Sequence, residues 1–266
     1  MTPTQPRVLV LRAAGTNCDR ETDFAFQLAG AETESLHVNA LRADPDRLAH
    51  FDILALPGGF SYGDDLGAGQ VLANELLTKL RDALDRFLDA GKLIVGICNG
   101  FQVLVKTGLL PGFERWEQQA TLTFNDSHRF EDRWIYLKAP ENRCVMVEDG
   151  ESLYLPVAHA EGKFVVADES VLERLGDQGQ IVYRYTDPDG RPAGYPWNPN
   201  GSVDDIAAIC DPSGRILGIM PHPERHCLPL QDPRWPRRGL SEEGEGLRIL
   251  RRAVRHAGGQ VAALTG

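Results

Sequence analysis

The chain has 266 residues, 42% of them hydrophobic and 25% charged, a composition typical of a globular protein with a substantial core. Its 38 acidic and 28 basic residues give a formal net charge of -10, which argues against a phosphate-binding surface spread over the whole protein but leaves room for a local basic patch. We expect no nucleic-acid partner. No stretch has the length of a signal peptide or membrane span, so we expect a cytoplasmic protein, without a membrane segment, that forms one domain over residues 1–266.

The first 112 residues alternate short apolar runs with helical patterns, which predicts a βαβαβα order. Residues 7–11, 51–56 and 92–97 each contain an unbroken apolar run, as expected of buried parallel strands. Helices are predicted over residues 21–29, with Asp19 as the capping residue, and over residues 71–88. The sequence therefore predicts an α/β fold with a mostly parallel sheet flanked by helices.

The second half of the chain is richer in strand and turn patterns. A proline- and glycine-rich stretch at 185–201 is expected to be a loop, and a helix is expected over 245–256, ending at Gly258 and Gly259. Strands are predicted at residues 121–124, 133–137, 163–166, 180–185 and, fully buried, 216–220.

The five cysteines are scattered along the chain, and no two of them form a Cys-x-x-Cys pair. This spacing predicts neither a disulfide framework nor a zinc site, so we expect no metal and expect any important cysteine to act as a thiol. The cysteines are Cys18, Cys98, Cys144, Cys210 and Cys227.

Cys98 is the strongest candidate for a catalytic residue. It follows a predicted buried strand and precedes a helical pattern, with Gly96 and Gly100 two residues to either side. That spacing is typical of a nucleophile elbow, where a sharp turn exposes the nucleophile and crowds the neighbouring backbone. The helix N-terminus favours a thiolate, and the backbone N–H of Asn99 would point to where an oxyanion forms.

His222 and Glu224 are the candidate partners of this thiol. They follow the last predicted strand, which would bring them to the same carboxyl edge of the sheet as Cys98. If the segment is extended, the two side chains project the same way, and the carboxylate can orient the imidazole. Histidine suits the proton transfers that amide cleavage requires.

Other polar positions carry alternative interpretations. Gly58 and Gly59 follow a strand and would let backbone amides approach a ligand, with Gly59 as a second oxyanion donor; plain turn chemistry explains them equally well. His159 and Glu161 suggest a second acid–base pair, although the pair at 222 and 224 already fills that role, so we favour a structural or interfacial role for His159.

These motifs resemble those of the class I, triad-type glutamine amidotransferases. Within that class the chain resembles most the glutaminase subunits of phosphoribosylformylglycinamidine synthase, over nearly its whole length. The matching segments are GTNCDRET from residue 15, LPGGFSYGDDLGAG from 56, GICNGFQVL from 96, LTFNDSHRFEDRW from 122, HAEGKF from 159, NPNGS from 198 and GIMPHPER from 218.

The resemblance implies a role for each matching position. Cys98 would be the nucleophile, His222 the base and acid, Glu224 the orienting carboxylate, and Gly59 with Asn99 the oxyanion hole. Gly58 and Gln102 would help to hold glutamine. Arg129 and Phe130 would help to line its pocket, although a surface arginine beside a core phenylalanine explains that pair almost as well.

The resemblance also implies a fold and partners. The fold would be flavodoxin-like with a small antiparallel extension. The partners would be a large synthetase subunit, which binds formylglycinamide ribonucleotide and ATP with Mg²⁺, and a small bridging subunit; this chain itself would need no cofactor. Two other hypotheses remain: a pseudoenzyme that regulates a synthetase, and a free-standing cysteine hydrolase that acts on γ-glutamyl or other amides.

Overall fold

The computed structural model describes residues 5–265, which form a nine-stranded sheet flanked by helices and a separate two-stranded sheet. Among these residues, no helix is long and apolar enough to cross a membrane. The strands are β1 Arg7–Arg12, β2 Glu32–His37, β3 Ile53–Leu56, β4 Leu93–Ile97, β5 Ala120–Thr123, β6 Glu131–Lys138, β7 Ser152–His159, β8 Lys163–Val166, β9 Ile181–Thr186, β10 Ile206–Cys210 and β11 Ile216–Ile219.

The large sheet has a parallel half and an antiparallel half. Its order is β2-β1-β3-β4-β11-β10-β9-β6-β7, and the first five strands run parallel to one another. From β11 onward each neighbouring pair is antiparallel, and β5 pairs with β8 in the small sheet. This arrangement confirms the predicted mostly parallel α/β fold with an antiparallel extension.

The helices pack around the sheet and include all of those that the sequence predicts. The predicted helix at 71–88 is interrupted by a π-helical turn at Leu76–Leu80, so it forms two α-helices. The helices are α1 Asp19–Leu28, α2 Val38–Ala43, α3 Gln70–Glu75, α4 Arg81–Asp89, α5 Asn99–Lys106, α6 Glu169–Asp177, α7 Trp235–Arg238 and α8 Leu247–Thr265.

Two predictions about helix ends are wrong. Asp19 is the first residue of α1 and forms an ion pair with Arg12 at 3.4 Å, while Cys18 occupies the cap position without a side-chain cap. The last helix also continues through Gly258 and Gly259 to Thr265. Glycine lowers the stability of a helix but does not by itself end one.

The core lies on both sides of the parallel strands. β3 and β4 are buried along their whole length, as their unbroken apolar runs predict. Because β3, β4 and β11 run parallel and in register, their carboxyl ends meet at one edge of the sheet. The loops that follow them therefore lie side by side.

Candidate active site

Cys98 lies in the turn between β4 and α5, with a backbone conformation that non-glycine residues seldom adopt (φ 51°, ψ -103°). A Cβ added to Gly100 would lie 2.0 Å from the carbonyl oxygen of Leu56, and one added to Gly96 would lie 2.7 Å from the carbonyl oxygen of Gly100. Only glycine fits at these two positions. The tight packing therefore holds Cys98 in a strained elbow at the N-terminus of α5.

The neighbouring strand brings a histidine and a carboxylate to the same edge. β11 pairs with β4 in register, and the backbone N–H of Cys98 donates to the carbonyl of Ile219 at 2.8 Å. His222 precedes a 3₁₀ turn, Pro223–Arg225, so the segment is not extended as expected. The side chains meet nevertheless: His222 Nδ1 lies 2.6 Å from Glu224 Oε1, and both groups are buried.

Charge around the imidazole favours its protonated form. Burial alone would lower the pKa of His222, but the Glu224 carboxylate and the Cys98 sulfur outweigh burial and raise that pKa well above its ordinary value. Nε2 of His222 is buried and has no hydrogen-bond partner among the described residues. With Nδ1 engaged by Glu224, this second nitrogen is the one left to exchange a proton with a reacting group.

A second cysteine lies beside this group, and we did not assign it a role from the sequence. The sulfur of Cys18 accepts from Arg225 Nη2 at 3.0 Å, and burial raises the pKa of this thiol. Ligand atoms of Cys18, His222 and Glu224 lie within 4.8 Å of one another, a spacing that the scattered cysteines did not predict. The sequence contained one signal: Cys18 follows β1, whose carboxyl end lies at the same edge of the sheet.

Gly58 stands between these side chains. A Cβ added to it would lie 2.9 Å from His222 Cε1, 3.1 Å from the sulfur of Cys18 and 3.4 Å from the Cβ of Cys98. Three side chains therefore converge on the space that this glycine leaves open. A larger residue would displace at least one of them.

Two candidate oxyanion donors follow the adjacent strands β3 and β4. Gly59 follows β3 with φ 138°, and a Cβ there would lie 2.7 Å from the backbone nitrogen of Asn17, so glycine is required. Asn99 begins α5, and its side-chain oxygen accepts from the backbone N–H of Ser61 at 3.2 Å. This bond ties the loop after β3 to the elbow.

The other predicted substrate contacts differ in how far they are buried. Gln102 is buried, and its amide donates to the carbonyl of Glu161 at 2.6 Å while accepting from Asn99 at 2.9 Å. Phe130 is half exposed, with its ring centroid 6.5 Å from that of Phe60. Arg129 is exposed, and its backbone carbonyl accepts from Asn125.

His159 is a buried neutral side chain behind the site. Its Nδ1 lies 3.2 Å from Asn125 Oδ1, and burial together with the charge on His222 lowers its pKa to about 3. The neighbouring Ala158 carbonyl lies 3.8 Å from the sulfur of Cys98. This environment agrees with a structural role for His159.

The fold and this arrangement of thiol, imidazole and carboxylate define the chain as a glutamine amidotransferase. A sequence profile for the CobB/CobQ-like glutamine amidotransferase domain matches residues 5–257. The chain belongs to this family and, within it, to the PurQ subunits of phosphoribosylformylglycinamidine synthase.

Three similar proteins support that assignment. The chain is 56% identical to the phosphoribosylformylglycinamidine synthase subunit PurQ of Dehalococcoides mccartyi over 253 residues, covering 94% of this chain and 97% of the relative. It is 45% identical to the PurQ subunit of Methanococcus maripaludis over 234 residues, or 86% of each chain. It is also similar to a chain of PurLQS from Thermotoga maritima (TM-score 0.71, 30% identity, 95% of this chain and 99% of that one).

Proposed function

We propose that this chain is the glutaminase subunit of phosphoribosylformylglycinamidine synthase and that Cys98 is its nucleophile. The observation that carries the proposal is the strained elbow, which holds the sulfur of Cys98 beside an imidazole bonded to a buried carboxylate. A thiol near a protonated histidine and a helix N-terminus is set up to react as a thiolate.

In the first half of the reaction, the Cys98 sulfur attacks the side-chain amide carbon of glutamine. The backbone N–H groups of Gly59 and Asn99 stabilise the oxyanion, and Nε2 of His222 donates its proton to the departing nitrogen. Ammonia leaves and a γ-glutamyl thioester remains on Cys98. Glu224 keeps Nε2 directed at the reacting atoms, because it bonds to the other ring nitrogen at 2.6 Å.

In the second half, His222 takes a proton from water as the water attacks the thioester. The sulfur then leaves as the thiolate, releasing glutamate and restoring the starting site. Gly58 leaves room for the substrate, while Gln102, Arg129 and Phe130 surround it. Every proton is exchanged through Nε2, so the chemistry on this chain needs no cofactor.

The ammonia is supplied to a synthetase that converts formylglycinamide ribonucleotide to formylglycinamidine ribonucleotide in purine biosynthesis. We assign ATP and Mg²⁺ to that large subunit and a bridging role to a small one; the similarity to a chain of PurLQS supports this assembly. We place the complex in the cytoplasm and assign residues 1–266 to one glutaminase domain, since the family match spans residues 5–257.

Exchange of the nucleophile tests the proposal in the reconstituted complex. Cys98→Ala should reduce glutamine-dependent synthesis by at least about a thousandfold, because no covalent intermediate forms, while ammonium-dependent synthesis persists. Cys144→Ala, which removes a buried cysteine outside the group at the sheet edge, is the matched control. Loss of both activities, or of neither, would contradict the mechanism. Glutaminase activity without any synthetase would favour the free-standing hydrolase instead.

A further inference from the structure

Cys18 is a nucleophilic side chain for which the glutaminase reaction has no use. It is buried at the N-terminus of α1, and its sulfur contacts Arg225 at 3.0 Å and Asn17 Oδ1 at 3.6 Å. Arg225 is itself held by Glu21 at 3.4 Å. The guanidinium group of Arg225 favours the thiolate and partly offsets the burial that raises the pKa of this thiol. An inert core cysteine ordinarily has no such cation beside it.

The two cysteines approach each other across the open space above Gly58. From the point that a Cβ of Gly58 would occupy, the sulfur of Cys18 is 3.1 Å away and the Cβ of Cys98 is 3.4 Å away. The sulfur of Cys18 and the Cβ of Cys98 therefore lie no farther apart than the sum of these two distances. The sulfur of Cys18 therefore reaches Cys98 by moving into space that a side chain at residue 58 would fill.

The environment of Cys98 also favours oxidation of its sulfur. The sulfur lies beside the imidazole of His222, whose pKa is raised, and at the N-terminus of α5. Cysteines in such surroundings are the ones that react with peroxides. A site that admits glutamine also admits hydrogen peroxide, which is far smaller. A reactive thiolate beside a second cysteine is the arrangement found in reversible thiol switches.

We propose that Cys18 is a resolving thiol, which forms a disulfide with Cys98 after peroxide oxidises the nucleophile. The inference rests on the proposed function only in taking Cys98 as the reactive thiolate. The disulfide would stop glutamine hydrolysis while preventing irreversible over-oxidation of Cys98.

Both steps balance with hydrogen peroxide as the oxidant. The Cys98 thiolate attacks one peroxide oxygen, the O–O bond breaks, and Cys98 sulfenic acid forms as the departing hydroxide takes up a proton to become water. The Cys18 sulfur then attacks the sulfenic sulfur, and the Cys18 proton leaves with the hydroxyl group as a second water. The two sulfur atoms lose two electrons in total, and the peroxide gains them.

The test treats the full-length chain with a small excess of hydrogen peroxide, reconstitutes it with the synthetase subunits and measures glutamine-dependent synthesis before and after dithiothreitol. The rate of glutamine-dependent synthesis by wild type should fall about tenfold or more after peroxide and return most of the way after dithiothreitol. Peptide mass spectrometry should find Cys18 linked to Cys98. Cys18→Ser should also lose activity, but reduction should restore little, because its sulfenic acid oxidises further.

Controls separate this inference from its alternatives. The activity of each variant after oxidation is compared with the activity of the same variant kept under reducing conditions, and its thermal unfolding is measured. Cys18→Ala replaces Cys18→Ser if the latter is unstable. Cys144→Ser should behave as wild type. Absence of the linked peptide would overturn the inference, and so would equal recovery of activity in Cys18→Ser and wild type after reduction. Recovery of activity with a chelator in place of dithiothreitol would also overturn it, because the lost activity would then be due to a metal ion bound by Cys18, His222 and Glu224. Mass spectrometry detects the linked peptide even in a protein that does not hydrolyse glutamine. A failure of the proposed function would therefore appear in the activity assay alone.

Discussion

Replacing Glu224 by glutamine tests how the buried carboxylate controls the imidazole. The 2.6 Å contact with His222 Nδ1 is a charge-assisted hydrogen bond, for which a contribution of about 1.5–3 kcal/mol is typical. At 1.36 kcal/mol per pKa unit, its loss should lower the pKa of His222 by roughly one to two units. His222 would then lose its proton at lower pH.

The assay is the pH dependence of kcat/KM for glutamine in the reconstituted complex. In the proposed mechanism the active form needs protonated His222. The alkaline limb of the profile for Glu224→Gln should therefore move to lower pH by roughly one to two units. Glu151→Gln is the matched control, since it removes a buried carboxylate that pairs with Arg252 at 2.8 Å instead. An alkaline limb that stays in place in Glu224→Gln would refute the reasoning.

Two further predictions follow from the same group of residues. Gly58→Ala should slow labelling of Cys98 by a glutamine-analogue electrophile by roughly tenfold or more, because the new Cβ would displace the His222 ring. Gly176→Ala is the control: a Cβ at residue 176 would have no atom within 4 Å, so this variant should be labelled as fast as wild type. Below pH 6.5, the ordinary pKa of histidine, His159 should be protonated in the unfolded state but stay neutral in the folded protein, where its pKa is about 3. Acidification should therefore reduce the free energy of unfolding by about 1.4 kcal/mol per pH unit. Urea unfolding of wild type and His159→Gln would measure this, and equal slopes would contradict it.

The parallel half of the fold was the easiest part to predict from the sequence. β3, β4 and β11 are continuously apolar, and so is β1 between its two terminal arginines, because both faces of these strands are buried. β2 escaped prediction because it lies at the edge of the sheet and is largely polar. Three strands were missed in all: β2, β7 and β10.

β7 shows why a local rule can mislead. Pro156 interrupts an otherwise alternating pattern, and proline argues against a central strand. β7 lies at the other edge of the sheet, where a missing N–H costs little. Proline in β7 and polar residues in β2 are compatible with edge positions. The sequence does not show which segment each strand pairs with, because pairing depends on contacts between distant parts of the chain.

The candidate site divides in the same way. The elbow at Cys98 could be predicted because a short local motif, the glycines two residues to either side of the cysteine, indicates it. The contact of Cys18 with Arg225 joins residues from opposite ends of the chain, and no local pattern reports it. Only the parallel registers of the central strands bring these loops together.

The position of β11 has a consequence for the synthesis of the protein. This strand is among the last elements of the chain, yet it lies in the middle of the sheet, between β4 and β10. A ribosome that has completed the elbow at Cys98 must still translate more than a hundred residues before His222 emerges. Under the proposed mechanism, a nascent chain therefore carries the sulfur without its proton donor, and it cannot consume glutamine before nearly the whole subunit has been made.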